Sequence, residues 1–324
     1  MAPATELRAP VFDDIVAAAR RIAPLVIRTP VVFNAALNQA LGCQAWCKCE
    51  NLQETGSFKM RGAANAVLRL REQGHEGDVA THSSGNHGAA LARAARLDGR
   101  MAHVVMPANA VQSKIESVRQ QGGEVILCPP IQAEREAGLA RLVARGLTPI
   151  PPYDHSDIIA GQGTATLELL EESGPLDLIL APVGGGGLVS GSAIAAHGVN
   201  PSIRVMAAEP AGAADTAASV KQGRRVTEWH PETIADGLRA LVGKLTFQVI
   251  RAEVDQVLTV SEQGIVDGMK LAKSTLGMAI EPSSATVLAA ILEHPALFRD
   301  RRVGLILSGG NVEHAAFPFL DAPI

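Results

Sequence analysis

Along the chain, short runs of consecutive apolar residues alternate with stretches in which small and apolar residues recur at helical spacing. The runs MAHVVMP (101–107), GEVILCPP (123–130), LDLILAPVGGGG (176–187), IRVMAAEP (203–210) and RVGLILSGG (302–310) each end in proline or glycine. Nearly continuous apolar runs of this length predict strands buried on both faces, as in parallel sheets covered by helices. NHGAALARAARLDG (86–99) and VQSKIESVRQQGG (111–123) carry apolar or small residues at helical spacing and stop at glycine, as helix C-termini do. The alternation predicts an α/β protein. Three or four strand–helix units between about 80 and 150 read as a small inserted domain, with the proline-rich PIPPYDHSD (149–157) as its return linker.

Composition narrows the function classes. At 324 residues and 47% hydrophobic, the chain supports two sizeable cores. A net charge of −4, from 29 basic and 33 acidic residues without long runs, leaves no electrostatic footprint for nucleic acid or an anionic membrane. No apolar stretch approaches the roughly 20 residues of a membrane span, and MAPATELRAPVFDD lacks a signal-peptide core, so the expected location is cytoplasmic. Cys43, Cys47 and Cys49 crowd into GCQAWCKCEN, but Cys47 and Cys49 alternate as on a strand and no histidine completes a ligand set. Strand packing is the expectation for them.

Three loops after predicted strands carry chemistry. In APVGGGGLVSGSAIAA (181–196), four glycines before a helix expose successive N–H groups, a nest for phosphate. The run fits neither G-x-G-x-x-G nor the P-loop, which disfavours dinucleotides and nucleoside triphosphates, and the bland alternative is a tight turn. THSSGNHGAALA (81–92) offers hydroxyls, an amide and free N–H groups to a carboxylate, although Ser and Asn also cap helices for stability. LILSGGNVEH (305–314) is a third strand end of small and polar residues. Ligands of open α/β sheets gather at carboxyl ends of strands, so the three describe one cleft. Lys59, in GSFKMRGAANAV (56–67), is either a solvated first-turn residue or an amine that does chemistry. Beside a phosphate nest and an anion loop, the second reading points to pyridoxal phosphate held by Lys59 as a Schiff base.

At this point RTPVV, SFKMRGA, SSGNHG, IAGQGT, GGGGL, ADG and SGGN, in order over nearly the whole chain, carry a resemblance. The sequence resembles the fold type II pyridoxal phosphate enzymes, the family of threonine dehydratase, serine racemase and 3-hydroxyaspartate dehydratase. The resemblance implies two open, mostly parallel α/β domains of the tryptophan synthase β-like type, with the cofactor in the cleft between them. The large domain would comprise 1–60 and 152–324, and the small one 61–151, with its core at about 80–150, closing over substrate.

By the same resemblance Lys59 is the Schiff-base lysine and the base at the substrate α-carbon. Phe58 flanks the cofactor and Asn86 bonds the ring oxygen, while Gly184, Gly185, Gly186 and Gly187 with Leu188 cradle the phosphate. Ser308 faces the ring nitrogen; a neutral hydroxyl there makes a weaker electron sink than a carboxylate partner would. The implied reaction is β-elimination from a hydroxy amino acid (3-hydroxyaspartate, serine or threonine) to a 2-oxoacid and ammonia. Substrate carboxylate falls to Ser83, Ser84, Asn86 and His87. Ser84 looks like the serine that protonates the opposite face of the carbanion in the racemase, which keeps an amino acid racemase as the alternative. Glu209 and Asp215, with the carbonyl of Ala213, match a racemase cation site of hard oxygen ligands for Mg²⁺ or Ca²⁺, with Mn²⁺ a further candidate. Arg135 matches an arginine that reaches substrate, and its planar fork suits a second carboxylate; His155 and Arg239 are weaker candidates. A homodimer is implied by the family alone.

Departures count too. Arg239, Ala240 and Leu241 stand where the racemase has serines after ADG. The chain also stops soon after SGGN, so the regulatory domain of allosteric threonine dehydratases, with its feedback by isoleucine, is not expected. A β-replacement synthase is less favoured, and a non-catalytic amino-acid-binding protein would require loss of Lys59 or the glycine loop.

Overall fold

The computed structural model of the chain describes residues 8–83 and 85–321. Its elements begin with α1 (Phe12–Ile22), β1 (Val31–Phe33), α2 (Ala35–Leu41), β2 (Gln44–Cys49) and α3 (Lys59–Glu72). Strand–helix units follow: β3 (Val79–His82), α4 (Asn86–Leu97), β4 (Ala102–Pro107), α5 (Gln112–Gln120), β5 (Glu124–Cys128), α6 (Gln132–Ala144) and β6 (Thr148–Pro149). After the linker come α7 (Ser156–Ser173), β7 (Leu178–Pro182), α8 (Gly187–Val199), β8 (Arg204–Pro210) and α9 (Asp215–Gln222). The chain finishes through α10 (Lys244–Glu253), β9 (Gln256–Val260), α11 (Glu262–Leu276), α12 (Pro282–Glu293), α13 (Pro295–Phe298) and β10 (Arg302–Leu307).

Each apolar run read from the sequence is a strand; β4, β7, β8 and β10 are nearly or wholly buried, whereas β5 lies at the edge of its sheet and exposes Glu124 and Leu127. Six strands pair in the order β1-β2-β10-β7-β8-β9, antiparallel only at β1–β2. Four more form an all-parallel sheet, β5-β4-β3-β6, which contains the units between about 80 and 150. The apolar faces of α11 and α12 pack one side of the larger sheet, with β2 cysteines and β10 leucines in their core. Those of α8 and α10 pack the other side. Cys43, Cys47, Cys49 and Cys128 are free and buried, the first three within the core on one side of the larger sheet. Burial alone pushes the Cys43 thiol up to about 11, which leaves it protonated and unreactive.

Helix α3 joins the two halves. Its residues Met60, Ala63, Ala64 and Val67 share a core with β3, β4 and α4 of the smaller sheet. Its opposite side carries Arg61, fully buried, which bonds Glu50 at 2.7 and 2.8 Å and Glu168 through two bonds of 2.8 Å. Lys48 adds a 2.6 Å pair with Glu168, so two cations and two anions neutralise one another between β2, α3 and α7. Burial works against the Arg61 charge, but the two carboxylates more than offset it and hold its pKa above the usual value. The start of α3 is therefore pinned where a charge network permits no sliding.

Candidate active site

The loops after β3, β7 and β10 gather near the start of α3. A single antiparallel bridge, Ser57 with Gly309, and a 3.0 Å bond from the Phe58 N–H to the Ser308 carbonyl fasten the lysine-bearing turn to the loop after β10. Lys59 then begins α3 as expected, part-buried, with Nζ donating to the Pro152 carbonyl at 2.9 Å and lying 4.9 Å from the Phe58 ring centroid. Desolvation lowers its amine to about 8, against the opposing pull of the Glu281 carboxylate. A lysine held near neutrality suits nucleophilic and basic work, not a solvated surface role.

After β7, the glycine loop is shaped by close neighbours. A Cβ on Gly185 would lie 2.3 Å from the Tyr153 ring, which lies against the loop, and Gly186 has φ +90°, a conformation side chains resist. Thr246 fixes the turn by donating its hydroxyl to the Gly185 carbonyl at 2.7 Å. The first N–H groups of α8, from Gly187 and Leu188 onward, have no intrahelical acceptor and point out of the helix start. Leu188 itself is buried, so only its backbone is offered. Free donors, a helix N-terminus and no Cβ atoms on the loop fit a phosphate.

The loop after β3 leads into α4, whose first residue is Asn86. Ser83 accepts from the N–H groups of Gly85 at 3.3 Å and Gly88 at 3.2 Å; Ser84 lies outside the described residues. The Asn86 amide is already engaged: it donates to both oxygens of Glu281, at 3.1 and 3.0 Å, and accepts from Asn311 at 2.9 Å. His87 is buried and donates Nε2–H to the Ile150 carbonyl at 3.0 Å. Burial, with Lys59 nearby, drops its pKa to about 3, so its side chain brings no positive charge to a carboxylate. Ser308 directly follows β10 and is 2% exposed.

Arg135 lies in the first turn of α6, half-buried, close enough to His82 at the end of β3 to lower that histidine's pKa after desolvation has done so. Its Nε is buried and has no hydrogen-bond partner among the described residues. His155 instead caps α7, accepting from the Asp157 N–H at 3.2 Å, and Arg239 donates to the Thr233 carbonyl at 2.6 Å. Glu209 and Asp215 are both buried. Glu209 accepts from the Ala217 N–H at 2.7 Å and Asp215 from the Val242 N–H at 2.8 Å. Desolvation lifts them to about 8 and about 6, as expected of carboxylates lacking a bonded cation. Ala213 closes the short turn between them. Among the described residues no group of three or more His, Cys, Asp or Glu side chains is arranged to hold a metal.

Several groups escape a sequence reading. Glu281, 4% exposed, caps α12 in IEPSSA and meets Asn86 and the field of Lys59; from sequence it is a plain acidic cap before a helix-starting proline. Pro152, Tyr153 and Asp154 look like linker, yet they hold Lys59, the glycine loop and the start of α10. Lys114 of α5 pairs with Asp236 of the ADG turn, and Ser113 donates to Glu313 at 2.9 Å, closing the cleft mouth from the smaller sheet to the larger.

The family model described as "Pyridoxal-phosphate dependent enzyme" matches residues 22–309. The chain is 43% identical over 311 residues to the beta-hydroxyaspartate dehydratase of Paracoccus denitrificans, covering 96% of this chain and 99% of that one. It is 45% identical over 309 residues to a serine racemase of Dictyostelium discoideum, covering 93% and 95%. Among solved structures, maize serine racemase superposes with a TM-score of 0.92 at 44% identity, covering 95% of each chain.

Proposed function

The chain belongs to the pyridoxal-phosphate-dependent enzymes, and from that membership we propose that it catalyses β-elimination of a hydroxy amino acid to a 2-oxoacid and ammonia. The substrates considered are 3-hydroxyaspartate, serine and threonine, with 3-hydroxyaspartate favoured by Arg135. The observation that carries the reading is a part-buried, near-neutral Lys59 in the same cleft as the free N–H starts of α4 and α8. Bound there, pyridoxal phosphate would supply an aldehyde to join the amines and a conjugated ring to delocalise charge from the substrate α-carbon.

The chain's own residues do the rest. Gly184 to Gly187 and the Leu188 N–H would hold the phosphate, Phe58 would flank the ring, and Ser308 would meet its nitrogen. For Asn86 to reach the ring oxygen it gives up part of its present contact with Glu281 or Asn311. Lys59 takes the proton from the substrate α-carbon; its lowered pKa leaves a useful neutral fraction near pH 7. Ser83 and the N–H groups at the start of α4, with Ser84 and Asn86, receive the substrate carboxylate. His87 shapes this loop through Ile150 rather than by charge. Arg135, with its unpartnered Nε, is suited to a second carboxylate, which serine and threonine lack.

The family also suggests a homodimer in the cytoplasm, with the small domain, 61–151, closing over the rest. A divalent cation, Mg²⁺ or Ca²⁺, suits Glu209, Asp215 and the Ala213 carbonyl, because two buried carboxylates with pKa values raised by desolvation have no bonded positive partner among the described residues. Relatives named serine racemase support racemisation through Lys59 and Ser84 as the second reading. The test is 2-oxoacid release from L- and D-serine, L-threonine, and threo and erythro 3-hydroxyaspartate, with chiral analysis of the remaining substrate. Preferential release from a 3-hydroxyaspartate isomer, lost selectively in Arg135→Ala, supports the first reading; inversion without 2-oxoacid overturns it.

A further inference from the structure

The motif IAGQGT contains a glutamine that nothing above employs. Gln162, on α7, is 1% exposed and fills a slot between two glycines on neighbouring helices. A Cβ on Gly62 of α3 would lie 3.1 Å from its Cγ, and one on Gly187 of α8 would lie 2.4 Å from its Oε1. Its Nε2 faces the Pro152 carbonyl at 3.4 Å, the oxygen that already accepts from Lys59 Nζ at 2.9 Å. At the other end, Oε1 is buried against the first residue of α8 and has no hydrogen-bond partner among the described residues. One amide therefore touches both the carbonyl that holds the amine and the beginning of the phosphate cradle.

We infer that Gln162 is a positioning residue that sets Lys59 against the anion cradle, holding the Pro152 carbonyl with one end of its amide and abutting the α8 N-terminus with the other. The inference rests on the reading that the glycine loop holds the cofactor phosphate. A buried side chain serving only to fill space would be apolar, since an unpaired amide oxygen carries a desolvation cost. What the amide provides is an uncharged polar link between the Pro152 carbonyl and the start of α8. A carboxylate at the same place adds negative charge beside both: it favours protonated nitrogen at Lys59 and repels the phosphate.

The experiment uses the holoenzyme carrying pyridoxal phosphate, with Q162E, Q162M and Gly185→Ala. For Q162E, the pH midpoint of the visible band of Lys59-bound cofactor should rise by about one unit or more. The ³¹P resonance of the bound phosphate should move, and cofactor should be lost on dialysis about tenfold faster. Q162M, similar in shape without the dipole, should move the phosphorus resonance and speed loss several-fold. All three readouts unchanged in Q162E overturn the inference, as do an unchanged phosphorus resonance and rate of loss in Q162M should Q162E fail to fold. Lowered thermal stability alone, with these readouts at wild-type values, assigns Gln162 to packing and overturns it equally. Gly185→Ala separates the underlying reading. A shifted phosphorus resonance there with none in Q162E sinks only Gln162, whereas no shift in either removes the cradle itself.

Discussion

Replacing Arg61 by methionine tests how the start of α3 is held. Methionine keeps much of the volume but strands Glu50, which is fully buried and would keep only the Thr29 hydroxyl at 2.5 Å and the Gln53 amide at 3.4 Å. Glu168 would still have Lys48. Removing one partner of a buried ion pair costs about 3–5 kcal/mol, against a total stability on the order of 5–15 kcal/mol. At roughly 2–4 °C per kcal/mol for a larger domain, thermal unfolding followed by circular dichroism should fall by about 6–20 °C. Adding Glu50→Gln removes the stranded charge and should restore about 2 kcal/mol or more. Arg61→Lys should fall between, because one ammonium cannot serve two carboxylates in paired bonds. Added salt should change little, since screening acts weakly on buried pairs. A loss under about 1 kcal/mol in Arg61→Met, or a further loss on adding Glu50→Gln, would refute the network as the anchor of α3.

Further outcomes are expected for Lys59, Asp154 and the cation site. Capture of pyridoxal phosphate by cofactor-free protein, followed by absorbance, should accelerate as pH rises through about 8, because the neutral Lys59 amine attacks. Glu281→Gln removes the charge that favours the ammonium, so that midpoint should move down; an upward move would contradict the assignment. The sign for stability agrees: between about 8 and the ordinary 10.5, the unfolded chain binds the extra proton, so the cofactor-free fold gains stability as pH rises across that window. Asp154→Ala should cost about 1–2 kcal/mol in denaturant unfolding, since its carboxylate accepts from the Lys244 and Leu245 N–H groups at 2.9 Å and caps α10. EDTA should lower the thermal midpoint of the native protein and have no effect on Glu209→Gln, with saturating Mg²⁺ worth about 3 kcal/mol at a hundred times its dissociation constant. A chelator response identical in the two proteins would remove the cation from Glu209.

The sequence by itself determined the α/β class, because strands buried on both faces must be written as continuous apolar runs and their covering helices as periodic ones. It also determined the three loops, since only glycine and small polar residues leave backbone N–H groups open at strand ends, and it placed Lys59 at a helix start. The antiparallel β1 and the order of strands in the larger sheet came from tertiary pairing, which joins segments as distant as β2 and β10 and leaves no local mark. Folding alone likewise decided the roles of Glu281, Tyr153 and Gln162. Each is an ordinary cap, linker or helix residue in its own segment, and gains its significance from a partner about 25 to 195 residues away. Lys59 shows the division within one residue: its position in the chain marks the amine, but its lowered pKa comes from burial acting against the pull of the distant Glu281 charge, both of which exist only once the chain has closed around it.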